Sequence, residues 1–206
     1  MMKKDVMIMD SRRMFCQGMT MAAMVILLSN TGMAQSSVPV ETKPAKDRAV
    51  EIQLEYLDGH WFARRDIDLY NLHIYRQYKK IKDVSLHYGL SVSRPLGKIT
   101  DDDIARDSEA VGLGPSYMMR WEKNLSKKWS ASIDGAGSIL AYNHAHPANG
   151  RAFGFLWRIG PRVTYHFTAE DSISAAYIIH HASNGFKTHN PGYNGVGISL
   201  GYRHAF

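Results

Sequence analysis

The sequence predicts an all-β fold, an eight-stranded antiparallel up-and-down barrel that crosses a membrane with its strands. Three observations lead there. Apolar and polar residues alternate with period two along segment after segment, the pattern of a strand with two unlike faces. In the longest of these, Phe153, Phe155, Trp157, Ile159, Val163, Tyr165 and Phe167 share one face while Arg158, Arg162, Thr164 and His166 share the other. That run exceeds the ~5–6 residues usual for a strand in a soluble sandwich. It suits the ~10-residue segments of membrane barrels, where aromatics face lipid and charges face a polar interior. The segments number eight, an even count that returns both termini to one side.

In order, the expected strands are 50–57, 66–76, 83–93, 110–121, 129–142, 153–167, 171–184 and 196–206. Within 83–93, Val84, Leu86, Tyr88, Leu90 and Val92 oppose Ser85, His87, Gly89, Ser91 and Ser93, so one face is wholly apolar. The connections 122–128 and 168–170 are short, whereas 94–109 and 143–152 are longer, as periplasmic turns alternate with external loops. The last strand carries Val196, Ile198, Leu200 and Tyr202 on one face and ends in Phe206. Eight strands enclose a space just wide enough for side chains to fill, so no pore is expected.

Ahead of the barrel, assigned to 49–206, residues 1–34 have the build of an export signal. Lys3, Lys4, Arg12 and Arg13 form a basic region, Met19 to Leu28 is mostly apolar, and Gly32-Met33-Ala34 offers small residues for cleavage after Ala34. Ser11-Arg12-Arg13-Met14-Phe15 also resembles a twin-arginine export motif. The apolar stretch falls short of the ~20 residues of a membrane-spanning helix. Residues 35–48, polar with two prolines and no periodicity, read as a flexible leader. The single cysteine, Cys16, lies inside the signal, so the exported chain is expected to lack thiols and disulfides. The chain carries a net charge of +6, and removing the signal's four basic and two acidic residues leaves +4. Without basic clusters, that excess argues against a nucleic-acid partner.

The residues with chemistry to offer lie near the C-terminus, in His181-Ala182-Ser183-Asn184-Gly185, followed by an Asn190-Pro191-Gly192 turn and Asn194. On a strand, His181 and Ser183 point the same way, and they continue the stripe of Ile173, Ala175, Tyr177 and Ile179. A base beside a hydroxyl is an activated-nucleophile pair. On a lipid-facing stripe, polar groups cost free energy unless they lie at the interface or serve a reaction. Asn194 shares the outward parity of Val196, Ile198 and Leu200, which places it beside the pair. The Asn184 side-chain amide and the Gly185 backbone N–H are candidate donors to a developing oxyanion. His180 has the opposite parity and is expected to pack inside the barrel.

The signal, the eight segments, His-Ala-Ser-Asn-Gly, Asn-Pro-Gly and the terminal Tyr-Arg-His-Ala-Phe together resemble the PagL family of outer-membrane lipid A 3-O-deacylases. The resemblance is specific from Tyr177 to Phe206. It implies hydrolysis of the ester-linked acyl chain at the 3-position of lipid A, with Ser183 as nucleophile and His181 as base. It also implies lipopolysaccharide and outer-membrane lipid as partners. The terminal Phe206 resembles the signal read by the barrel assembly machinery, and a homodimer is a further partner the sequence leaves open. Where the family carries an acid to orient the base, this chain has Asn194, which can hold the ring by a hydrogen bond but lacks charge.

Two other classes remain open on the sequence. One is a non-enzymatic structural or adhesin-like barrel with a relic dyad, the other a different lipid enzyme such as an acyltransferase or phospholipase. No cofactor or metal is expected. His144 and His146 lack a neighbouring carboxylate or cysteine. Asp101-Asp102-Asp103 opens like a calcium loop without its later glycine and glutamate, and reads as an external loop.

Overall fold

The computed structural model describes residues 48–60, 65–184 and 190–206. The expected signal, the leader up to residue 47 and Gly185 lie outside the described residues.

The described residues form nine strands: β1 (Ala49–Asp58), β2 (Arg65–Ile81), β3 (Val84–Asp101), β4 (Ile104–Asp107), β5 (Gly112–Asn124), β6 (Trp129–His146), β7 (Arg151–His166), β8 (Asp171–Ser183) and β9 (Tyr193–Ala205). All neighbours pair antiparallel in the order β2-β1-β9-β8-β7-β6-β5-β3-β4, and a further β2–β3 pairing closes the ring around eight strands. The short β4 is the return arm of a hairpin whose other arm is the end of β3, from Lys98 to Asp101. The sequence reading took 94–109 as a loop. The strand instead runs on past the ring, and the turn falls at Asp102 and Asp103, which take the left-handed conformation with φ of 51° and 58°. Aspartate tolerates that region better than most residues, which is why an acidic triplet can make this turn.

The two faces of the wall are inverted relative to a soluble protein. Along β1 the pattern is strict: Val50, Ile52, Leu54 and Tyr56 point out and are exposed, whereas Glu51, Gln53 and Glu55 point in and are buried. Along 153–167 the expected division holds, with Trp157 and Phe167 exposed, Tyr165 half-buried and Arg158 and Arg162 buried inside. Burying guanidinium groups is tolerable only when every charge is paired. Here Arg120 bonds Glu51 at 2.8 Å and Asp134 at 2.7 Å, Arg162 bonds Asp134 at 2.6 Å, and Arg158 bonds Glu55 at 2.9 Å.

At the end of the barrel opposite the termini, the interior turns apolar. Leu57, Ile67, Leu69, Ile99, Leu140, Leu156, Ile178 and Tyr193 form a buried cluster there. Strands that pass through a ~25 Å apolar band need only ~10 residues. The 18 residues of β3 and of β6 therefore carry the wall well beyond it. This far rim is where β8 ends and β9 begins.

Candidate active site

His181 and Ser183 lie at the rim end of β8, half-buried on the outer face, in line with exposed Ile173 and Ile179. The register sets two residues directly across from His181, Trp157 on β7 and Asn194 on β9. His181 Nδ1 and Asn194 Oδ1 are 2.7 Å apart. An amide oxygen can only accept, so Nδ1 carries the hydrogen and Nε2 keeps its lone pair. That is the tautomer a general base requires. On the other side, the Trp157 indole lies with its centroid 5.7 Å from that of the imidazole and the two planes tilted by 34°. Gly192, seen in the sequence only as part of a turn, gives the ring its space. A Cβ there would stand 2.9 Å from the Ala182 carbonyl oxygen and 3.3 Å from His181 Cε1.

Asn184 has a different task from the one expected of it. Its side chain is fully buried on the inner side of the strand. Nδ2 donates to the His146 carbonyl at 2.7 Å, and Oδ1 accepts from the Arg151 backbone N–H at 3.2 Å. Asn190 Oδ1 in turn accepts from the Asn184 backbone N–H at 2.9 Å. Period-two alternation is the reason, since the residue after an outward Ser183 must point inward. The Asn184 amide thus braces the β6–β7 connection and is not placed as an oxyanion donor. Gly150 is required by this brace, because a Cβ at that position would collide with Asn184 Oδ1.

His146 completes the clamp. The sequence reading placed it in a loop, but it ends β6 and is buried. Its Nδ1 donates to the Ser108 carbonyl at 2.7 Å, which leaves Nε2 to accept from the Tyr193 hydroxyl at 2.7 Å. The residue after Ser183 and the residue before Asn194 are therefore both tied to His146. Period-two parity marks Asn184 and Tyr193 as inward, but their common partner lies about forty positions away in the chain and has no local signal. His180 points into the barrel as expected, fully buried, with neither ring nitrogen hydrogen-bonded. Its ring packs edge-on against Tyr193 with centroids 5.8 Å apart.

Elsewhere on the rim, Asp58, His60 and Asp68 bring one ligand-capable atom each within 4.8 Å of one another. His60 contacts Asp58, and its Nε2 lies 2.6 Å from Asp66, while Asp68 Oδ1 is buried without a hydrogen-bond partner. Burial alone would lower the pKa of His60, but the hydrogen bond with Asp58 and the surrounding carboxylates outweigh it and hold the imidazole above its ordinary value.

The family model described as lipid A 3-O-deacylase (PagL) matches residues 70–203, most of the described chain and all of the candidate site. No curated protein matches the sequence. Among solved structures, Neisserial surface protein A is similar with a TM-score of 0.51 and 10% identity, covering 77% of this chain and 96% of that one. The outer-membrane enzyme PagL is similar with a TM-score of 0.44 and 14% identity, over 76% of this chain and 99% of that one. The N-terminal barrel domain of Pseudomonas aeruginosa OprF follows at 0.39 and 17%, over 75% and 96%. Inverted faces, a closed ring of strands and the likeness in fold to Neisserial surface protein A identify a membrane β-barrel, and with the match over 70–203 the chain belongs to the PagL family of outer-membrane lipid A 3-O-deacylases.

Proposed function

We propose that this chain is itself an active lipid A 3-O-deacylase, and that Ser183, His181 and Asn194 carry the reaction. The observation that supports this most is the bond between His181 Nδ1 and Asn194 Oδ1. It fixes a base on the lipid-facing wall, at the rim, in a chain of the PagL family. A purely structural barrel has no use for an oriented imidazole there, and desolvating it is a cost.

In the proposed reaction, His181 Nε2 takes the proton of Ser183 Oγ as Oγ bonds to the ester carbonyl carbon. The carbonyl π pair moves onto oxygen, giving a tetrahedral oxyanion. When that pair returns, the bond to the sugar oxygen breaks, and the proton on Nε2 passes to the departing alkoxide. Lipid A then carries a free 3-hydroxyl, and the acyl group remains as an ester on Ser183. Water, deprotonated by the same nitrogen, attacks this ester and releases the fatty acid, and Ser183 recovers its proton. With the Asn184 side chain committed to the rim clamp, the Gly185 backbone N–H remains the proposed oxyanion donor.

The test is the folded barrel in detergent micelles with purified lipid A, both products being read by mass spectrometry. Deacylation at position 3 lowers the mass of lipid A by one acyl group and releases a hydroxylated fatty acid. A gain in mass would indicate acyl transfer. An unchanged substrate would support the non-enzymatic barrel that Neisserial surface protein A shares in fold.

A further inference from the structure

The hydrolase reading leaves a charge unaccounted for. Once Nε2 has accepted the serine proton, the His181 ring is a cation, half-buried on a wall that faces lipid. The residues paired with it on the adjoining strands are Asn194 and Trp157, and neither carries charge. Asn194 orients the ring through its amide oxygen but offers only a dipole to the imidazolium. Trp157 offers the negative face of its indole π system. Its centroid lies 5.7 Å from that of the imidazole, within the ~6 Å over which a cation is drawn to an aromatic face, and tryptophan is the strongest such partner. The attraction is stronger at a half-buried ring such as His181 than at a fully solvated one.

We propose that Trp157 is a positioning residue of this enzyme. It holds the His181 ring against Asn194 and stabilises the imidazolium as it forms, supplying through its π face part of what a carboxylate on β9 would supply through charge. The inference rests on the Ser/His reading of the site. It also explains why an exposed indole on the lipid face stands opposite the base in register.

Because the cation exists only after proton transfer, the contact with Trp157 strengthens on the way to the transition state, so its loss falls on kcat. Trp157→Leu is expected to lower kcat by about tenfold with KM unchanged. Trp157→Phe restores most of that loss, since a phenyl ring keeps a π face. In an Asn194→Glu background, the carboxylate already neutralises the ring, so the same Leu substitution costs less. A merely lipid-packing role for Trp157 would instead raise KM, make Leu and Phe equivalent, and be indifferent to residue 194. Any of those results overturns the proposal.

A second measurement is independent of turnover. With Trp61→Phe, Trp121→Phe and Trp129→Phe, the remaining indole fluorescence reports Trp157 alone. Acidification is expected to quench it through the protonated imidazole, and His181→Gln removes that quench. Deacylation without a His181-dependent quench overturns the role of Trp157 and leaves the hydrolase standing. A quench in a barrel that deacylates nothing overturns the hydrolase reading, and the proposed role with it.

Discussion

The waist of the barrel and its outer rim both place polar groups where apolar ones would be easier to accommodate, and they do so in opposite ways. At the waist, Arg120, Arg162, Glu51 and Asp134 are buried and joined by bonds of 2.6–2.9 Å, so each charge faces an opposite one. At the rim, His181, Ser183 and Asn194 sit half-exposed on the lipid side, and a single neutral hydrogen bond joins His181 to Asn194. The first arrangement is saturated and static, as buried charge must be. The second keeps a lone pair on Nε2 and a hydroxyl two residues away. Unspent hydrogen-bonding capacity on an unfavourable surface is what sets the proposed site apart from the structural network at the waist.

Substitutions at each place should therefore fail differently. Ser183→Ala or His181→Ala is expected to cost at least ~10³-fold in deacylation, since members of such a unit lose nearly everything singly. Heat-modifiable gel migration, which reports the closed barrel, should be unchanged. At the waist the result inverts. Arg120→Met leaves Glu51 and Asp134 facing one another without their shared partner and should destabilise the barrel by ~3–5 kcal/mol in urea unfolding from vesicles. Turnover per folded molecule should survive. If Arg120→Met abolished chemistry in barrels that remain closed, the division between waist and rim would break.

The clamp behind the site is intermediate in kind. Asn184→Ala strands the buried His146 carbonyl and should cost ~1–3 kcal/mol, read in the same unfolding assay. Asn194→Ala should lower turnover by about tenfold through a loosened base, and Asn194→Glu should keep or raise it. Equal rates for the wild type and Asn194→Ala would remove Asn194 from the mechanism. The smallest effect is expected at His180→Ala, next to the base in sequence but on the inner face. If it matched His181→Ala, the assignment of faces along β8 would be wrong by one residue.

Much of this was legible in the sequence because alternation is a local signal. The arginine and aromatic faces of 153–167 require only period two, and the same parity separates His180 from His181 and directs Asn194 outward. Outward rows were also read too simply in one place: Val196 shares the parity of exposed Ile198 and Leu200 yet is only 3% exposed. What alternation could not reveal is any contact made across the ring. Ser108, His146, Asn184 and Tyr193 come from four connections or strand ends, and the chain holds no sign that they converge. The Asn184 amide has the chemistry of an oxyanion donor, but the geometry of a strand turns it inward, away from Ser183. The Trp157–His181 contact was hidden for a related reason, since strand register sets it and each residue taken alone is one more member of an outward row.

The central claim is that the rim site cleaves the 3-position ester of lipid A in the membrane that holds the barrel. The most direct test is the lipid A mass profile of cells producing the wild-type chain or Ser183→Ala, at matched amounts of folded barrel. The account predicts a species lighter by one hydroxylated acyl chain with the wild type and none with Ser183→Ala. The same lighter species in both would contradict Ser183 as nucleophile, and its absence from both would contradict the deacylase itself.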